Sequence, residues 1–298
     1  MVDHLPARAI DRLMILTAAL LFSTGGAAVK ACSLSGWQVA SLRSGIAAIA
    51  LLILLPSARK GWNWRTWLVG SAFAATMISF VLANKLTTAA NAVFLQSTAP
   101  LYILILSPFL LGEPSRRRQL VFMAALAVGM WFILSGGQSV SETSPDPTRG
   151  NIIGAFCGFS WAFTMMGLRW LSRDQHIQNQ QNSGASAVIC GSLISCLITL
   201  PFALPIRGAS PTDWTTVAFL GIFQIALAYV LILRGVRRVG ALEVSLLVLV
   251  EPVFGPLWAW LFHAERPSSW ALLGGLVIVL ATAVYSWASE TSHDPSVS

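Results

Sequence analysis

Apolar residues fill the chain in long runs, and polar residues fall in short patches between them. A helix needs about 20 mostly apolar residues to cross a bilayer. Ten runs reach that length, near 13–31, 37–55, 65–84, 90–111, 118–135, 151–171, 185–206, 214–233, 240–262 and 269–288. The longest polar patch, 135–150, lies at the middle of the chain. The pattern predicts an all-α membrane protein with ten transmembrane helices in two five-helix halves. The halves are 1–138 and 151–298, joined by a polar linker at 139–150. The first run follows Arg8 and Arg12, exceeds a signal-peptide core in length and precedes no soluble segment, so it reads as a retained helix.

One motif occurs twice. Pro100 precedes Glu113 by thirteen residues, and Pro252 precedes Glu265 by thirteen. Both prolines lie inside apolar runs, and each glutamate closes its run. At the same offset of 152 residues Ala89 matches Ala241, Leu95 matches Leu247 and Leu120 matches Leu272. Five helices is an odd number, so the second half enters the membrane with opposite orientation. The expected architecture is an inverted repeat around a central cavity, the plan of many secondary transporters, with substrate bound near the midplane.

Charge fits this reading. Only 10% of residues are charged against 55% hydrophobic, where soluble domains carry about 25% charged residues. With the N-terminus inside, inner segments hold thirteen Lys and Arg, outer ones five, and Arg43 lies within a helix. By the positive-inside rule both termini are cytoplasmic. The net charge of +7 is therefore topological, and no nucleic-acid partner is expected. Sixteen Arg to three Lys suggests a GC-rich bacterial source, hence a multi-pass protein of the bacterial inner membrane. Cys32, Cys157, Cys190 and Cys196 form no C-x-x-C pair and read as buried thiols. The sequence lacks a P-loop, H-E-x-x-H and G-x-S-x-G. No enzyme, cofactor or metal is expected. Gly150, Gly154 and Gly158 suit close helix packing without implying a dimer, and the chain is expected to act as a monomer.

A polar or ionisable side chain inside the membrane is costly and marks a candidate site. Trp161, ten residues from either end of the sixth run, lies near the midplane and shares a face with Thr164. It either walls a cavity or packs between helices. Gln96 and Ser97 precede Pro100, whose missing N–H frees the Gln96 carbonyl. Ser23 and Thr24 precede Gly25 and Gly26, a place for close approach or a break, although both hydroxyls can bond back to their own helix. Gln224 is polar at mid-run, and Phe80 shares a face with Asn84. Glu251, beside Pro252, either couples protons in the cavity or pairs with Arg43 or a backbone group. Arg43 reads as an interhelical hydrogen-bond donor.

The run LLFSTGGAAVK ending at Lys30, the run LRSGIAA containing Arg43 and the paired Pro-x12-Glu units resemble the EamA branch of the drug/metabolite transporter superfamily. The chain is most similar there to YddG-type exporters of aromatic amino acids. The resemblance implies helices 1–4 and 6–9 around the cavity and helices 5 and 10 outside. It implies a gating or structural role for Glu113 and Glu265. The expected function is export of a small metabolite, an aromatic or neutral amino acid, by alternating access. Half-helices would bend at Gly25–Gly26, Pro100 and Pro252. The rivals are export of a drug, nucleobase or cationic compound, and a non-transporting membrane scaffold with a dry, packed centre.

Overall fold

The structure, a computed structural model, describes residues 5–60, 62–110, 117–136, 140–173, 180–235, 239, 244 and 247–290. The described residues are helical between short connections, and an isolated bridge joins Ser141 to Ser144. In chain order the helices are α1 (Leu5–Ser23), α2 (Gly25–Ala31), α3 (Gly36–Leu54), α4 (Trp64–Leu86), α5 (Ala89–Gln96), α6 (Ala99–Leu110) and α7 (Arg117–Ser135). Then come α8 (Pro147–Arg173), α9 (Gln180–Ala203), α10 (Pro211–Phe219), a π-helical segment (Leu220–Leu227), α11 (Ala228–Gly235), α12 (Val250–His263) and α13 (Ser269–Glu290). Glu113 lies outside the described residues, as do 240–243 and 245–246 of the expected ninth run.

Local chemistry sets the helix starts. Ser35 and Gln38, Asn63 and Thr66, and Ser210 and Asp213 form capping boxes, each satisfying two backbone N–H groups. The Asp146 carboxylate accepts from the Arg149 N–H at 3.1 Å, and Pro147 follows as the first helical residue, where its missing N–H costs nothing. Helix α8 therefore starts four residues before the expected 151, inside the segment read as linker.

Among the described residues, eight helical stretches are long and apolar enough to cross a membrane. Broken pairs count as one: α1 with α2 over Ala9–Ala31, α5 with α6 over Ala89–Leu106, and α10 through α11 over Pro211–Gly235. Helix α7 is apolar over Gln119–Ser135 but shorter. Helix α12 has only 14 residues because the chain turns at Leu249 just before it.

Helix α4 packs on α8 and α9, α3 on α9 and the π segment, and α1 on α11 and α12. Helices α7 and α13 pair with each other beside α5, where Phe122 stacks on Tyr285 with ring centroids 4.3 Å apart. The other side of α13 presents Leu272, Leu276, Leu280 and Val284 as an exposed stripe at four-residue spacing. Such a stripe suits lipid, which solvates leucine as readily as a protein interior does.

Candidate functional site

Among the described residues, four places in the bundle depart from regular α-helix. At Thr24 the chain turns between α1 and α2, and the Ser23 and Thr24 hydroxyls donate to Leu20 O and Leu21 O, each at 2.7 Å. At Ser97–Thr98 it turns again, because Pro100 has no N–H to continue the ladder. There the Ser97 and Thr98 hydroxyls donate to Val93 O at 2.8 Å and Leu95 O at 2.6 Å. The third departure is the turn at Leu249 before Pro252, and the fourth is the π segment holding Gln224. Irregular backbone at membrane depth persists where it is buried in protein or lines a cavity. Glycine allows neighbours to close on two of these places. A Cβ at Gly158 would lie 2.6 Å from Leu95 O, and one at Gly25 would lie 2.8 Å from Gln224 Nε2.

Between the irregular segments lies a cavity of about 420 Å³. Six residues singled out from sequence line it: Arg43, Phe80, Gln96, Trp161, Gln224 and Glu251. Its walls also include Phe22, Met77, Met165 and Tyr229, which sequence reasoning passed over as ordinary apolar positions. Tyr229 carried a signal: a hydroxyl inside an apolar run, five residues after Gln224. Phe22 meets Tyr229 edge-on at 5.3 Å, and Phe73 meets it from another side at 5.4 Å. Arg43 is fully buried, donates from Nη2 to Met77 O at 2.9 Å, and lies 5.5 Å from the Phe80 ring centre. The cavity runs from mid-helix toward the Arg234 end, where Leu168, Gly184 and Leu233 line it.

The structure does not bring Ser23, Thr24, Ser97 or Thr164 to that wall. Ser23 Oγ accepts from Trp258 Nε1 at 3.0 Å, tying α1 to α12. Thr164 is buried and donates to Ser160 O at 3.0 Å in its own helix. Pro100 and Pro252 each fall in the first turn after a break, positions tolerant of a missing N–H.

The opposite end is closed. Lys30 Nζ lies 3.2 Å from Glu265 Oε2, with both side chains 3% exposed. Lys30 also donates to Thr87 O at 2.9 Å and to Thr143 O, and Glu265 Oε1 accepts from the Ala89 N–H at 2.6 Å. The pair thus joins α2, the loop before α5, the segment before α8 and the end of α12. Burial pushes the Glu265 carboxyl above its ordinary value, while Lys30 and the Ala89 N–H pull it back. Where α10 meets α2, the Asp213 carboxylate accepts four bonds, from Ser33 N (2.6 Å), Ser33 Oγ (2.7 Å), Ser210 N (2.9 Å) and Ser210 Oγ (2.7 Å). A second pocket, of about 540 Å³, lies between α4 and α8 and is lined mainly by apolar residues such as Leu68, Phe159 and Trp170.

The sequence profile of the EamA-like transporter family matches residues 11–135 and again 148–287. The uncharacterized transporter YetK of Bacillus subtilis is 32% identical over 71% of this chain and 66% of its own length. The pseudopaline exporter CntI of Pseudomonas aeruginosa is 23% identical over 92% of this chain and 95% of its own. The threonine/homoserine exporter RhtA of Escherichia coli is 26% identical over 68% of this chain and 64% of its own. The chain thus spans just under two thirds of YetK and of RhtA. A solved crystal structure superposes with a TM-score of 0.63 at 21% identity, covering 95% of this chain and 99% of that one, a likeness of fold.

Proposed function

The chain belongs to the EamA-like transporter family, and from that premise we propose that it exports a small metabolite, an aromatic or neutral amino acid, by alternating access across a bacterial inner membrane. The observation that carries this is the 420 Å³ cavity at the depth of the helix breaks. It falls within the ~300–1,000 Å³ typical of ligand sites, with aromatic walls and a few polar groups. A scaffold without cargo would have a packed centre. By their names CntI exports pseudopaline and RhtA exports threonine and homoserine, which supports the export reading here.

In this proposal the chain has ten spans and two inverted halves, 1–138 and 151–298 about the 139–150 linker, and acts as a monomer. Contacts between the halves support it, because several of the most extensive have a counterpart with the halves exchanged. Helix α4 packs on α8 as α11 packs on α1, and α4 packs on α9 as the π segment packs on α3. Ser44 and Ser195 meet at 3.0 Å where α3 crosses α9, close to the 152-residue offset of the repeat. With the basic Arg234 end inside, both termini are cytoplasmic and the cavity faces inward. The Lys30–Glu265 closure then lies outside, and Pro100 and Pro252 mark the bending points.

Proteoliposomes holding the purified protein test this with a labelled amino-acid panel, with Trp161→Ala alongside. Downhill movement of neutral or aromatic amino acids, with a changed preference in Trp161→Ala, is the expected result. No movement of any amino acid, with or without a pH gradient, refutes the amino-acid reading. A second reading, export of a cationic compound, is favoured by one observation: Glu251 lines the cavity. It requires that Glu251→Gln abolish export of cations.

A further inference from the structure

The wall of the cavity holds polar groups with atoms that have no hydrogen-bond partner. Arg43 is 0% exposed and Gln224 is 6% exposed, and both line the cavity. Only Nη2 of Arg43 has a hydrogen-bond acceptor, Met77 O; Nε and Nη1 have none. Gln224 Oε1, an acceptor, also lacks a partner. The ion pairs Lys30–Glu265 and Arg149–Asp146 do not reach Arg43. A guanidinium holds its charge under any condition a protein meets and presents donors in a rigid fork that fits a carboxylate. Leaving such donors dry and unpaired is costly. So is leaving an amide oxygen bare, and both lie at one cavity.

We infer that Arg43 and Gln224 form the head-group site of the cavity, Arg43 taking the carboxylate of an α-amino acid and Gln224 its ammonium. This deepens the export reading and rests on it. The two residues sit on adjacent elements. A Cβ at Gly221, one turn before Gln224, would lie 2.8 Å from the Arg43 carbonyl. Glu251 lines the same cavity and supplies a counter-charge for the ammonium. Phe80 and Met77, which touch the guanidinium, must shift as the carboxylate enters. Trp161, Phe22 and Tyr229 then remain as walls for the side chain. The consequence is a rule for cargo: a free carboxylate is required, and amines, amides and nucleobases without an anion are rejected.

The test is binding to the purified full-length chain, read by thermal stabilisation. Phenylalanine, leucine and threonine are each compared with their amides and with phenethylamine. In the wild type the acids bind at least about tenfold tighter than their amides, the scale of a hydrogen bond to a charged group. In Arg43→Gln that preference disappears, and in Arg43→Lys part of it returns. If the Arg43 variants do not fold, the wild-type acid–amide comparison decides alone. Acids and amides that bind within twofold of each other, as a water-filled polar pocket would allow, overturn the assignment. So does a panel in which nothing binds. Transport separates this inference from its premise. An acid preference in binding without transport keeps the Arg43 site and sinks the export reading. Equal transport of acids, amides and amine keeps export and sinks the Arg43 site.

Discussion

Glu265→Gln opens the closed end of the cavity without enlarging any side chain. The Lys30–Glu265 pair is buried, at 3.2 Å with 3% exposure on each side. Removing one partner of a buried ion pair costs about 3–5 kcal/mol. Glutamine retains an oxygen for the Ala89 N–H, and Lys30 retains the carbonyls of Thr87 and Thr143. The low end of that range, about 3 kcal/mol, therefore applies. The cost falls only on the conformation that makes the pair, since a conformation open at this end leaves both groups in water. At about 1.4 kcal/mol per tenfold, the equilibrium moves toward the open conformation by roughly 100-fold. Spin labels at Ala31 and Arg266, both exposed at this end, read the change as a longer inter-label distance in nanodiscs. Lys30→Met shifts the population the same way. The double variant Lys30→Met/Glu265→Gln shifts it less than the two single effects summed, because the second loss removes no further pair. Unchanged distances in Glu265→Gln, or strictly additive effects in the double variant, would refute the reasoning.

Helix packing gives a second contrast. A methyl at Gly191 lies 2.5 Å from Gly70 O and 2.7 Å from the Phe73 ring, so Gly191→Ala lowers thermal stability by at least the ~1–3 kcal/mol of overpacking. At Gly184 the nearest atom is Leu168 Cδ2 at 3.8 Å, so Gly184→Ala is tolerated and gains up to about 1 kcal/mol of helix propensity. Equal melting temperatures in the two variants would contradict this packing. Asp213→Asn turns a carboxylate with four donors into an amide with one acceptor oxygen. A loss of about 2–3 kcal/mol, the scale of a hydrogen bond to a charged group, is expected in the same melt, and an unchanged melting temperature would count against the role of Asp213.

The sequence by itself determined that the chain is an all-helical, multi-span protein, because run length against bilayer thickness is a one-dimensional property. Local covalent chemistry determined two of the breaks, at Thr24 before Gly25–Gly26 and at Ser97–Thr98 before Pro100. Sequence also singled out Gln96 and Gln224 as candidates for the cavity, left Glu251 between the cavity and a pairing role, and read Arg43 as an interhelical hydrogen-bond donor; all four line the cavity. A charge or amide inside an apolar run has no comfortable place facing lipid, so burial in the protein is forced before any fold is known. The same argument fails for Ser23, Thr24, Ser97 and Thr164, whose short hydroxyls are satisfied by their own helix backbone. Only the tertiary structure decided that Phe22, Met77 and Tyr229 share a wall with Trp161, since an apolar side chain is equally at home in lipid and in protein. It also decided that Lys30 meets Glu265, 235 residues away along the chain. Nothing local fixes such a partner; the position of each charge follows from how α2, α5 and α12 converge at one end of the bundle.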